Sequence, residues 1–207
     1  TFTALQRYPE AIEAYQAYLE YRPELIDSYV HEFIGDLYRT DNQPDQALTS
    51  YQAALQALRG GATTSLLLKL AAAYEATGDY ATAIVLYDDL FQQNSGALLR
   101  AQLRFLTGRA YAALGQTEQA QENYLDAVNN YPTAYDSFSA LVELVNAGYP
   151  VSELQRGLVD YHAGQYGVAL AAFDRYLGST FSTAEGAAQA HYYRGLTHRM
   201  REEYITA

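Results

Sequence analysis

Residues 101–134 read AQLRFLTGRAYAALGQTEQAQENYLDAVNNYPTA, and in them Gly108, Tyr111, Gly115, Ala120, Tyr124, Ala127 and Pro132 stand at fixed offsets across two amphipathic segments. Gly108 and Ala120 are small where two antiparallel helices cross closely, and Tyr111 and Tyr124 fill the wider gaps beside them. Gly115 permits the turn between the helices. Pro132 cannot continue a helix, so it ends the second one and redirects the chain.

This pattern resembles the tetratricopeptide repeat, W-x2-L-G-x2-Y then A-x3-F then P, with Arg104 and Thr107 in its first two places and Tyr124 in its Phe place. The resemblance implies an all-α fold, a right-handed superhelix of antiparallel helix pairs. Towards the N-terminus, Ala11, Tyr15, Tyr18 and Pro23 occupy second-helix places. Ile34, Gly35 and Tyr38 with Ala47, Tyr51 and Ala54 make a further unit, as do Leu70, Ala71 and Tyr74 with Ala83, Tyr87 and Leu90. Asp41-Asn42 before Pro44, and Gly78, supply the turns; Gly60-Gly61 is expected to close a second helix. Ala11, Ala47, Ala83 and Ala120 recur every 36 or 37 residues, against about 34 for the usual repeat.

After Pro132 the register breaks, because the next equivalent alanine is Ala169. The interval holds one additional helix with Phe138, Leu141, Leu144 and Val145 on its apolar face, stopped by Gly148 and Pro150. The repeat then resumes with Gly157, Gly164, Ala169, Phe173 and Tyr176, where Asp160 replaces the usual Tyr; a sixth unit begins with Gly195, His198, Tyr204 and Ala207. The expected organisation is one array: a second helix at 9–21, units at 28–61, 64–97 and 101–134, an extra helix at 133–146, a unit at 150–183 and a partial unit at 188–207. A sequence that starts and stops inside a unit is expected to be a piece of a larger protein whose open ends self-associate weakly.

The 207 residues carry a formal net charge of -11 and a single lysine, Lys69. That balance argues against a phosphate backbone or an anionic membrane as the main ligand. There is no cysteine, hence no disulfide or thiol chemistry. The most apolar run, Leu66 to Ala73, is broken by Lys69 and too short to cross a bilayer. Thr1 is not an initiator methionine, and no charged start followed by an apolar stretch marks a secretion signal.

Chemistry is sparse. His31-Glu32 opens like a zinc-protease motif, but Gly35 stands where H-E-x-x-H needs its second histidine. His191 and His198 share one helical face, at places that normally pack against a second helix. Gly60-Gly61 with Thr63-Thr64 lacks the lysine of a phosphate loop and reads as a helix stop and cap. Asp88-Asp89 and Glu202-Glu203 are adjacent on helices and point apart. No nucleophile signature occurs, and no cofactor is implied.

In the family it resembles, certain first-helix positions turn toward a concave groove. Here they hold Tyr29, Glu32, Asp36 and Arg39; Leu68 and Ala72; Phe105 and Arg109; Leu154 and Leu158; and Tyr192 and Leu196. Such a surface suits a protein or peptide segment docking by side-chain burial, oriented by Arg39 or Arg109. The alternative is that several of these residues contact neighbouring helices of the same chain. Some family members grip a terminal carboxylate with Lys and Asn, but those places hold Glu32, Asp36, Leu68 and Ala72, so that clamp is missing.

A second resemblance rests on 145–150 (VNAGYP), 156–161 (RGLVDY), Gly164-Gln165-Tyr166 and Ala169 to Tyr176, which look like the helical region of some bacterial soluble lytic transglycosylases. It implies an accessory superhelix of a peptidoglycan-cleaving enzyme outside the cytoplasm, periplasmic or in the cell envelope; without it a cytoplasmic location is expected. The Glu-Ser dipeptide that carries catalysis in that family does not occur here, so no catalytic residue is carried over.

Overall fold

The computed structural model describes residues 7–21, 26–57, 60–61, 63–180 and 182–202. Among them it holds eleven α-helices and no strand. They are α1 (Tyr8–Tyr21), α2 (Asp27–Thr40), α3 (Pro44–Gln56), α4 (Thr64–Ala76), α5 (Tyr80–Gln93), α6 (Ala97–Ala113), α7 (Thr117–Asn130), α8 (Tyr135–Asn146), α9 (Glu153–His162), α10 (Tyr166–Leu177) and α11 (Ala184–Met200). The chain divides into two compact units, Thr1–Leu90 and Phe91–Ala207.

Five helices end in the same way, and this sets the repeat. At the end of α6, Gly115 takes φ +75 and the Gln116 N–H reaches back to the Tyr111 carbonyl at 2.9 Å, the hydrogen bond of a Schellman turn. Asn42 after α2, Gly78 after α4, Gly148 after α8 and Gly164 after α9 are likewise left-handed. The matching bonds run to Tyr38, Tyr74, Leu144 and Asp160. Pro44 then begins α3, where its missing N–H costs nothing. Gly60 and Gly61 lie past α3, which ends at Gln56. Pro23, Glu203, Tyr204 and Ala207 lie outside the described residues.

Within the first unit, Ala11 and Ile12 of α1 pack on Val30, Ile34 and Leu37 of α2. Ala47, Tyr51 and Ala54 of α3 meet Leu66, Leu70 and Ala73 of α4, with Leu86 of α5 against them. Helices α2 and α3 cross at Gly35: a Cβ there would stand 2.5 Å from the Tyr51 ring, so only hydrogen fits. The Ser28 hydroxyl donates to the Ala54 carbonyl at 2.7 Å and ties the start of α2 to the end of α3.

The second unit repeats the scheme. Gly108 on α6 lies under Tyr124 of α7, and Gly157 on α9 lies under Phe173 of α10. One core joins Ala120, Tyr124, Ala127 and Val128 of α7 to Ala140, Leu141 and Leu144 of α8 and Val159 of α9. The other joins Leu158, Ala169, Phe173 and Ala190 of α9, α10 and α11. The helix expected at 133–146 is present as α8.

Candidate functional site

The first-helix positions fall into two sets, one in each unit. In the first unit, Lys69 of α4 donates to Glu32 Oε1 at 2.8 Å and to Asp36 Oδ2 at 2.6 Å, both on α2. The Tyr51 hydroxyl donates to Asp36 Oδ1 at 2.8 Å. Burial pulls the Lys69 ammonium down, but the hydrogen bonds and charges of Asp36 and Glu32 outweigh it, and the net shift is upward. The Tyr51 phenol is pushed well up by burial and then by the Asp36 carboxylate. Glu32 and Asp36 are therefore bridged by the chain's single lysine rather than standing as isolated charges. Lys69 was not among the expected groove residues, although its place inside an otherwise apolar run was a signal.

Arg39 is exposed and lines a small cavity of about 140 Å³ with Pro44, Ala72 and Ala76. Tyr29 is half-buried, and its hydroxyl donates to the Gly60 carbonyl at 2.7 Å, fastening the segment after α3 to α2. Leu68 is half-buried on α4.

In the second unit Arg109 is exposed on α6. Phe105 is half-buried, packs on the α7–α8 core and tilts toward the Tyr124 ring at 6.0 Å. Burial pushes the Tyr124 phenol up to about 12; Glu143 raises it further and Arg109 opposes. Leu158 is a core residue, 4 % exposed, and Leu154 packs against the same cluster. Both are covered because α10 and α11 close over this side of α9. Tyr192 is 64 % exposed and stands edge-on to Tyr193 at 5.4 Å, while Leu196 is half-buried. Of the two histidines on α11, His191 is exposed and His198 half-buried.

Among the described residues no group of three or more His, Cys, Asp or Glu side chains gathers at metal-binding distance, and no helix is long and apolar enough to cross a membrane.

One tetratricopeptide repeat model matches residues 102–134, and a second matches residues 2–62, 34–98 and 154–204. Helix α8 falls between the matched stretches. No curated protein matches. Among solved structures the chain is similar to the crystal structure of BtubC (BKLC) from P. vanneervenii, with 16% sequence identity, 97% of this chain and 84% of that one covered, and a TM-score of 0.47. The resemblance of 145–176 to lytic transglycosylases gains no support from these matches. The helix pairs, their glycine crossings and their shared turns put the fold in the all-α, tetratricopeptide-like superhelix class. With matched stretches extending over well more than half of its length, the chain belongs to the tetratricopeptide repeat family.

Proposed function

We propose that this chain is a non-catalytic scaffold that binds a protein or peptide segment along the exposed faces of its first helices. Tetratricopeptide repeats generally mediate protein–protein interaction and are typically without catalytic activity. The observation that carries the reading is the pair on α6: Arg109 is exposed, one helical turn after the half-buried Phe105. An apolar ring beside an exposed guanidinium suits a peptide that buries one side chain and presents an acceptor to the cation. The same face of α2 and α4 carries the Lys69 bridge, which sets those two helices at a fixed spacing.

Peptides selected by display on the immobilised chain, then measured by fluorescence polarisation, test this. Arg109→Ala is expected to weaken the selected peptides about tenfold, on the order of a mid-sized interface contact, while leaving the denaturation midpoint unchanged. Failure to select any peptide, or binding indifferent to both Arg109→Ala and Arg39→Ala, overturns it.

A further inference from the structure

Tyrosine rings gather where α9, α10 and α11 meet. Tyr161 lies near the end of α9, Tyr166 at the start of α10, and Tyr192 and Tyr193 side by side on α11. Tyr161 stands edge-on to Tyr193 with ring centroids 5.1 Å apart and tilts toward Tyr166 at 5.9 Å, while Tyr192 stands edge-on to Tyr193 at 5.4 Å. The His162 ring joins them, 5.2 Å from Tyr161 and 5.7 Å from Tyr193. Offset and edge-on pairs of this kind are favourable contacts. The group is also rooted in the core, because Tyr193 stacks on the fully buried Phe173 and both Tyr161 and Tyr193 pack against the α9, α10 and α11 cluster. The rings are therefore held in place before anything binds, yet they are not covered: Tyr192 and His162 are exposed, and Tyr161, Tyr166 and Tyr193 are half-buried.

Their polar ends are unused. Among the described residues, the hydroxyls of Tyr161, Tyr166, Tyr192 and Tyr193 make no hydrogen bond, and the exposed Arg199 of α11 makes no ion pair. Burial pushes the Tyr161 phenol up; Tyr166, Tyr193 and Tyr192 add to the rise and Arg199 opposes it, so all four groups lie within electrostatic reach of Tyr161. No carboxylate of a described residue acts on it. The surface offers flat apolar rings with phenol and guanidinium donors, and few acceptors.

That imbalance selects among ligands. An ordinary extended peptide brings an N–H for every carbonyl, and those N–H groups would find few partners here. A carbohydrate brings hydroxyl donors to the same shortage. A quaternary ammonium would meet Arg199 with no carboxylate to offset the repulsion. A proline-rich segment carries carbonyl acceptors without N–H groups, in a polyproline II helix that uses none of those carbonyls internally. Its pyrrolidine rings pack on aromatic faces.

We propose that the Tyr161, Tyr166, Tyr192 and Tyr193 surface is a docking site for a proline-rich segment of a partner protein, whose carbonyls accept from the phenol hydroxyls and Arg199. The proposal rests on the reading of the chain as a peptide-binding scaffold and names the segment taken at this surface. It shares no residue with the Arg109 and Arg39 positions, so loss in Tyr192→Ala reads this surface, loss in Arg109→Ala reads the other, and the two fail separately.

Titration of the whole chain, with ring-labelled tyrosine observed by NMR, tests it with decaproline, a Gly-Ser decapeptide, maltohexaose and tetramethylammonium as probes. Decaproline should shift the ring signals of Tyr161, Tyr166, Tyr192 and Tyr193, and the other probes should not. Tyr192→Ala and Arg199→Ala, both at exposed positions, should keep the fold and each weaken decaproline about fivefold to tenfold. Tyr192→Phe keeps the ring and removes only the donor, so its loss should be smaller than that of Tyr192→Ala. Silent tyrosine rings, an equal response to the Gly-Ser peptide, or decaproline binding undiminished in Tyr192→Ala overturns the proposal. A stronger response to maltohexaose or to tetramethylammonium also overturns it, because the rings would then serve a sugar or a cation.

Discussion

The ring of Tyr124 lies directly over Gly108, so that a Cβ on the glycine would stand 2.5 Å from Tyr124 Cε1 and 3.1 Å from the Ala120 carbonyl oxygen. The crossing of α6 and α7 therefore tolerates no added carbon on either side. Gly108→Ala is expected to cost roughly 1 to 3 kcal/mol or more through overpacking, and Ala120→Leu a similar amount. Gly167, inside α10, has nothing within 4 Å of its would-be Cβ. There alanine should stabilise by about 0.5 kcal/mol through helix propensity. Urea denaturation of the three variants separates the two outcomes; loss of stability in all three would show that the crossing geometry is not what distinguishes them.

Lys69 joins two carboxylates on a neighbouring helix, and Glu32 is the more buried of them at 9 % side-chain exposure. Lys69→Met keeps the stem and removes the cation, leaving Glu32 in a low-dielectric setting without its ion-pair partner. Because the ammonium is 28 % exposed, water recovers part of the loss, and a cost of about 1 to 2 kcal/mol is expected. The Lys69 pKa is raised above its ordinary 10.5 in the folded chain. Its contribution is thus fully present below pH 10.5 and lost as the pH climbs past it. Thermal melts of parent and variant should converge above that pH, and a constant gap would refute the bridge.

Asn42 holds a left-handed turn position after α2, with φ 56, where α4, α6, α8 and α9 are followed by glycine. A side chain there carries a conformational cost that glycine does not. Asn42→Gly should stabilise by a few tenths to about 1 kcal/mol, read as a higher midpoint in guanidinium. A lower midpoint would show that the Asn42 side chain makes a compensating contact.

Burial pushes Asp160 up to about 6, with Arg156 and Arg175 pulling it back and Glu153 adding to the rise. The folded chain binds this proton more tightly than the unfolded one, whose value is near 3.8. Stability from this group therefore falls as the pH rises from the unfolded value through the folded one, by roughly 2 to 3 kcal/mol in all. Asp160→Asn removes the dependence, so its advantage over the parent should be small at acid pH and grow to its full size at neutral pH. Parallel denaturation curves across that range check it; an advantage that does not change with pH would contradict the burial of an ionised carboxylate.

Within the repeats, the helices and their stops are legible in the sequence alone. Gly108, Gly115, Ala120 and Tyr124 act within one short span, through turn geometry and the size of side chains at a single crossing, and both are written in residue type. The 36- to 37-residue recurrence then carried that assignment from unit to unit, and the break after Pro132 announced α8.

Which surfaces remain free was settled in three dimensions. Helical periodicity says which face of α9 is apolar, but Leu158 is a core residue because α10 and α11 cover it. Lys69 meets Glu32 because α2 and α4 pack side by side, a relation between residues of different repeats that no local pattern encodes. Tyr192 was legible as a first-helix position of α11; that Tyr161, Tyr166 and Tyr193 gather beside it emerges only once α9, α10 and α11 pack together. A side chain's chemistry is local, whereas its exposure and its partners depend on what the rest of the chain brings beside it.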